Sequence, residues 1–333
     1  MGQRRLRVAV VGTGEWWGRE HARVFSSRPD TELSAVVGRS AARTQARARE
    51  FGVNGYVDLA GMLERERPDL VSLCVSNEGH FEPTLEVIRA GFPLLVEKPL
   101  VFELDQADVL LREAAARSLF FAINFNHRYA RPVALAAEAV RAGALGELVF
   151  ATWRFGGEPG TSAHAHANLI ETQCHGLDML EHLCGPVDSV MAQMTDKTGR
   201  GWSTLAVSLH FASGAVGSLV GSYDSSYAYP DTHRVELNGT GGRVLIEDTV
   251  RRYSFTRAGS EVSEVWQAGY FNDVEREFHR TFDRHVDAML AAFRDGREPP
   301  VHARAGRRAL ALAHAIIHSF ETGTRVEVTP DAG

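Results

Sequence analysis

The chain has 333 residues, 44% of them hydrophobic and 23% charged, which is enough for two ordinary globular domains. A formal charge of −6 argues against general affinity for nucleic acid or anionic membrane, and no apolar run approaches the length of a membrane span. A few polar residues lead straight into a strand, which predicts no signal peptide. Cys74, Cys174 and Cys184 fit no metal or disulfide spacing and are expected to be reduced core residues of a cytoplasmic protein.

Residues 1–124 alternate short apolar runs with helical stretches. Strands are predicted at Leu6–Val11, Leu33–Val37, Leu70–Val75, Leu94–Glu97 and Leu119–Asn124, with helices near 18–27, 40–50, 80–90 and 103–117. Continuous apolar strands alternating with helices predict a doubly wound parallel sheet, an α/β Rossmann domain. Residues 125–333 read differently. Helices near 131–142 and 170–184 bracket a strand at 147–155 and a histidine-rich loop. Strand then follows strand from 187 to 268, including Thr204–Phe211, Ala215–Tyr223, His233–Leu237 and Arg243–Glu247, joined by glycine-containing turns. Helices near 273–294 and 303–318 and a strand at Arg325–Val328 complete an α+β domain on a large open, mainly antiparallel sheet. An exposed face of such a sheet would serve as an oligomer surface.

The first strand runs into Gly12-Thr13-Gly14-Glu15-Trp16-Trp17-Gly18. Gly12 permits a tight turn, Gly14 lets the backbone approach a pyrophosphate, and the helix beginning near Trp17 offers amide groups and its dipole to that anion. The third glycine falls one residue later than the dinucleotide fingerprint asks, and a glycine turn without a ligand is the competing reading. At the end of the second strand stands Gly38-Arg39-Ser40, without the acid that would hold an NAD ribose. Arg39 would suit a 2′-phosphate, which points to NADP, with NAD the alternative and a solvated helix-start arginine the bland reading.

Lys98 sits in Glu97-Lys98-Pro99 at the end of a strand. The proline keeps the residue before it out of helix and stiffens the turn, aiming the lysine toward the crevice at the strand ends. An oxidised nicotinamide there would repel the lysine's proton, which suits a general base, whereas spacing alone would favour a solvent-facing lysine. Farther on, Glu171, His175, Asp178 and His182 share one helical face. A carboxylate one turn from a histidine makes a proton-transfer pair. A metal site is the alternative, and His182 reads as a packed or capping residue. His164 and His166 before that helix fit a metal, a substrate-facing loop or a plain surface loop. Arg128, with Trp153 and Arg154, is expected along an interdomain crevice.

These motifs, in this order over nearly the whole chain, resemble the Gfo/Idh/MocA oxidoreductases. The resemblance implies an N-terminal NAD(P)-binding domain, a C-terminal sheet domain that makes homodimers or homotetramers, and a sugar or cyclitol substrate between them. It implies that Lys98 and His175 handle the hydroxyl proton and that Glu171 holds substrate or assists His175. The nucleotide is expected on Gly12, Thr13, Gly14, Glu15, Trp16, Trp17, Arg39, Ser40, Ser76, Asn77, His80, Glu97 and Lys98. The substrate is expected on Arg128, Trp153, His166, Asn168, Glu171 and His175. Glu171 stands where inositol dehydrogenases have aspartate, and Ser76 where threonine is common. The function implied is an NAD(P)-dependent sugar or cyclitol dehydrogenase or reductase. The alternatives are a redox-neutral glycoside-cleaving or epimerising enzyme that recycles its nicotinamide, and a non-catalytic nucleotide or sugar sensor.

Overall fold

The computed structural model describes residues 4–157 and 162–329. The chain divides into two compact units, one running to Asn124 with His285–Arg307 added, the other Phe125–Arg284 with the residues from Arg308 onward.

The first unit runs β1 (Leu6–Val11), α1 (Trp17–Ser27), β2 (Thr31–Val37), α2 (Ala41–Phe51), β3 (Asn54–Tyr56), α3 (Leu59–Glu66), β4 (Leu70–Leu73), α4 (Phe81–Arg89), β5 (Leu94–Val96), α5 (Leu104–Ala115) and β6 (Phe121–Ile123). Its six strands are all parallel, in the order β3-β2-β1-β4-β5-β6. Val8, Ala9 and Val10 are fully buried, as strands covered on both faces must be. Ser40 caps α2, Asp58 caps α3, and Gly52 ends α2 in the left-handed conformation. The order reverses between β1 and β4, and a ligand crevice forms outside the strand ends at such a switch point. The loops after β1 and β4 meet there, and the Glu-Lys-Pro turn follows the next strand.

The sequence pattern did not show β3, α3 or the return of residues 285–307. That return has a backbone cause. Ile123 N–H donates to Val301 O at 3.0 Å and Ala303 N–H to Phe121 O at 2.9 Å, so residues 301–303 run antiparallel beside β6.

The second unit begins with α6 (Arg131–Arg141) and β7 (Leu148–Gly156), then a π-helical turn (Asn168–Thr172) and α7 (Cys174–Cys184). Strands β8 (Val187–Thr195), β9 (Thr204–Phe211), β10 (Val216–Ser222), β11 (His233–Gly239), β12 (Gly242–Glu247), β13 (Arg252–Arg257) and β14 (Ser263–Gln267) follow. Helices α8 (Asp273–Arg276), α9 (Arg280–Arg294) and α10 (Arg304–Thr322) and strand β15 (Val326–Glu327) close the chain. The expected helix at 273–294 is thus two helices. The nine strands form one sheet, β14-β13-β12-β11-β7-β10-β9-β8-β15, antiparallel except where β10 runs parallel to β7. The fold class read from the sequence, a Rossmann domain followed by a large, mainly antiparallel sheet, is the fold observed. Among the described residues no helix is long and apolar enough to cross a membrane.

Candidate active site

Backbone shape dominates the glycine loop. Gly12 has φ of +134°, and a Cβ there would lie 2.2 Å from the Cys74 carbonyl oxygen. A Cβ on Gly18 would lie 2.8 Å from Gly12 O, so the late glycine still performs the third glycine's task of letting α1 pack on the loop. Gly14 faces open space, with nothing within 4 Å of its missing Cβ. Arg47 Nη2 donates to Gly14 O at 3.3 Å and holds the loop from the α2 side. No side chain caps α1, whose first turn closes on the loop through Arg19 N–H to Gly14 O at 3.0 Å and Glu20 N–H to Trp16 O at 2.9 Å, which aims the positive end of the helix dipole at the loop. An open Gly14 beside an uncapped helix start fits a dinucleotide's pyrophosphate.

Thr13 is buried, and its Oγ1 lies 2.3 Å from where a Cβ on Gly38 would stand. Glu15 and Trp16 are exposed, Trp17 half-buried. Arg39 is exposed, and Ser40 accepts from Arg43 N–H at 3.5 Å. Ser76 is exposed and Asn77 half-buried in the loop after β4. His80 is fully buried, with Nδ1 2.6 Å from Pro99 O and Nε2 3.2 Å from Val75 O. A neutral ring donates only once, and burial holds His80 below the ordinary histidine value, so the short contact to Pro99 is the hydrogen bond.

Lys98 is half-buried, and its peptide bond to Pro99 is cis. Its N–H donates to Glu97 Oε2 at 3.2 Å. The other Glu97 oxygen accepts from Asn124 Nδ2 at 2.5 Å and meets His21 Nε2 at 2.9 Å. Nδ1 of His21 lies 2.7 Å from Ser72 Oγ, and Asn124 Oδ1 accepts from His285 Nδ1 at 2.8 Å. Ser72, His21, Glu97, Asn124 and His285 are each at most 4% exposed. Burial opposes charge on His21, but Cys74 and Glu97 outweigh it and raise the imidazole to about 10. Burial likewise opposes the Glu97 carboxylate, and His21 and Lys98 hold it below its ordinary value. The pair is an imidazolium on a carboxylate.

In the second unit His175, 6% exposed on α7, stacks on His127 with ring centres 4.0 Å apart and planes 11° from parallel. Phe125 meets His175 edge-on at 5.9 Å. Glu171 is buried in the π-helical turn, which Gln173 separates from α7, and so is not on one regular α-helix with His175. Arg128 Nε and Nη2 donate to the two Asp178 oxygens at 2.8 and 2.5 Å. Burial pushes the Asp178 carboxyl upward and Arg128 pulls it back, and the bidentate fork is the geometry of an ionised pair.

Trp153 is 1% exposed and donates Nε1–H to Gln173 Oε1 at 2.9 Å. A Cβ on Gly176 would lie 2.5 Å from that nitrogen, so α7 packs on the indole only because residue 176 is glycine. Asn168, also buried, donates to Ser203 O at 2.7 Å and accepts from Gln173 Nε2 at 3.0 Å. Trp153 and Asn168 thus have their polar atoms engaged within the fold. His166 is half-buried and stacked on Trp202, and burial lowers its pKa. Among the described residues no group of three or more His, Cys, Asp and Glu side chains converges as a metal site would. His21 and His127 were not singled out from the sequence. A histidine among the buried Gly18, Ala22 and Phe25 of α1 was the available signal for the first.

The profile of the NAD-binding Rossmann fold of the GFO_IDH_MocA oxidoreductases matches residues 6–125, and that of their C-terminal alpha/beta domain matches residues 137–328. The chain belongs to this family. Among curated relatives, the D-glucoside 3-dehydrogenase of Escherichia coli K12 is 28% identical over 97% of each chain. The myo-inositol 2-dehydrogenase of Thermotoga maritima is 25% identical over 97% of this chain and 98% of its own. A levoglucosan dehydrogenase solved with NADH and levoglucosan superposes with a TM-score of 0.89 at 17% identity, covering 98% of this chain and 100% of that one. An Agrobacterium radiobacter oxidoreductase solved with NAD+, L-tartaric acid and magnesium gives 0.86 at 16%, over 97% and 98%. These structural likenesses speak for the fold. As a family member the chain is an NAD-binding oxidoreductase.

Proposed function

We propose that this oxidoreductase moves a hydride between a nicotinamide nucleotide and a hydroxyl-bearing carbon of a sugar, sugar derivative or inositol. The single observation that carries the reading is the Glu-Lys-Pro turn, held by two buried histidines on the same unit as an open glycine loop. The names of full-length relatives, glucoside and inositol dehydrogenases, support the substrate class.

The bound nucleotide supplies the hydride acceptor or donor. Gly12, Thr13, Gly14 and the first turn of α1 hold its pyrophosphate, with Glu15, Trp16, Trp17, Ser76 and Asn77 bordering it. Lys98 and His175 exchange the hydroxyl proton, and Glu171 holds substrate or assists His175. Lys98 is one of only two lysines among 36 Lys and Arg residues. An amine can lose its proton at working pH where a guanidinium cannot, which supports a chemical role for this one. Arg39, exposed beside a strand end that lacks an acid, favours NADP over NAD. His166, half-buried before the π-helical turn, contacts the substrate.

The protein works as a homodimer or homotetramer through its large sheet. Met191 pairs with Ser208 and Ser208 with Ser218, so Met191 shares a face with Val216 and Val220, all three exposed. Light scattering on the purified protein tests this. For the chemistry, turnover of Lys98→Ala and His175→Ala with sugars and inositols is the test, and wild-type rates in both would sink the assignment.

A further inference from the structure

Between the glycine loop's helix and the Glu-Lys-Pro turn lies a row of buried polar groups that the reaction itself does not call for. His21 is 0% exposed on α1, one helical turn beyond Trp17, whose indole meets it edge-on at 6.3 Å. Its two ring nitrogens reach Ser72 on β4 and Glu97 at the end of β5. Glu97 in turn accepts the main-chain N–H of Lys98. A buried carboxylate this close to a flexible lysine costs desolvation energy that an apolar residue would not. The arrangement returns something else. A lysine amine rides on a long stem with many rotamers, so its aim depends on how firmly its own backbone is fixed.

We propose that His21 is a positioning residue for Lys98, clamping the Glu97 carboxylate so that the Glu-Lys-Pro turn presents the amine in one direction. His80 pins the far side of the same turn through Pro99 O. Because α1 also begins at the nucleotide loop, His21 ties the segment that holds the nucleotide to the segment that carries the amine. This rests on the assignment of Lys98 to proton transfer.

With only two lysines in the chain, reductive 13C-dimethylation gives two lysine NMR signals, and a Lys197→Arg variant assigns them. Lys197 is exposed in the other unit and serves as the internal control. In His21→Gln the Lys98 signal moves or broadens and the Lys197 signal does not. Nucleotide affinity stays within about threefold and kcat falls on the order of tenfold or more, with substrate KM little changed, as for a misaimed group. Ser72→Ala, a gentler change should His21→Gln not fold, shifts the Lys98 signal and kcat in the same direction by less. A folded His21→Gln or Ser72→Ala protein whose Lys98 signal keeps its wild-type position overturns the positioning role, and so does kcat within twofold in His21→Gln. Full turnover in Lys98→Ala overturns the assignment of Lys98 instead, and the signal comparison still judges the link from His21 to Lys98 on its own.

Discussion

The imidazole of His127 lies flat against that of His175, ring centres 4.0 Å apart, with Trp153, Phe155, Phe278 and His233 packed around it. A stacked, enclosed ring leaves His175 little freedom to turn, which is what a proton-transferring group needs from its neighbours. His127→Ala is expected to lower kcat on the order of tenfold or more. His127→Phe, which keeps a flat ring there, is expected to recover most of it. Steady-state kinetics on the two variants decides, and equal losses would show that stacking is not what matters.

Arg128 and Asp178 form a bidentate pair in which the carboxylate is buried and the guanidinium half-buried. Arg128→Ala strands the carboxylate and is expected to cost about 3–5 kcal/mol of stability. Thermal or urea unfolding reads this directly. A loss below about 1 kcal/mol, typical of an exposed pair, would mean the pair is not sequestered.

The glycine loop makes a paired prediction. A methyl at Gly12 meets the Cys74 carbonyl and a strained φ, so Gly12→Ala is expected to destabilise the protein by several kcal/mol, on the order of 3. A methyl at Gly14 meets nothing in the protein, so Gly14→Ala is expected to fold with near wild-type stability. Its nucleotide affinity, by titration, should nonetheless fall on the order of tenfold, because the methyl stands where the pyrophosphate approaches. Unchanged affinity would remove Gly14 from the site.

Two buried histidines should shape the two limbs of the stability–pH curve. His21 is raised from 6.5 to about 10, so its contribution is complete below pH 6.5 and is lost as pH rises toward 10. His233, buried beside Trp153 with Nδ1 2.7 Å from Thr249 Oγ1, is lowered by burial from 6.5 to about 3. Its contribution is complete above pH 6.5 and is lost as pH falls toward 3. Each limb carries a slope of about 1.4 kcal/mol per pH unit for one proton. His21→Gln should flatten only the alkaline limb and His233→Asn only the acid limb, measured by urea unfolding across pH. Unaltered limbs would contradict the charge states assigned to these rings.

Arg39 bears on cofactor choice. Arg39→Asp should shift kcat/KM toward NAD and away from NADP, because an acid there accepts from a ribose hydroxyl and repels a 2′-phosphate. An unchanged preference would place the discrimination elsewhere.

The sequence carried the alternation of apolar strands and helices well, and β1 and β9 were read to the residue. Short elements escaped. β3 has three residues and no apolar run, and α3 is a single cap followed by eight residues. The return of residues 285–307 rests on backbone bonds to β6 from far along the chain, which no local period encodes. Lys98, His175 and the glycines stand out in the sequence because motif spacing marks them. His21 and His127 matter through what they touch, Glu97 and His175, and that contact is tertiary. Glu171 and His175 share one regular helix in the sequence pattern, whereas Gln173 N–H donates to Asn168 O and puts Glu171 in a π-helical turn ahead of the helix that carries His175.

The most direct measurement is nicotinamide turnover with a panel of inositols, aldoses and glycosides, with NAD and NADP in parallel and Lys98→Ala as control. The account predicts net nucleotide reduction with at least one polyol, faster with NADP, and a loss on the order of a hundredfold or more in Lys98→Ala. Tight nucleotide binding with product formed but no net reduction, or a Lys98→Ala protein that turns over like wild type, would contradict it.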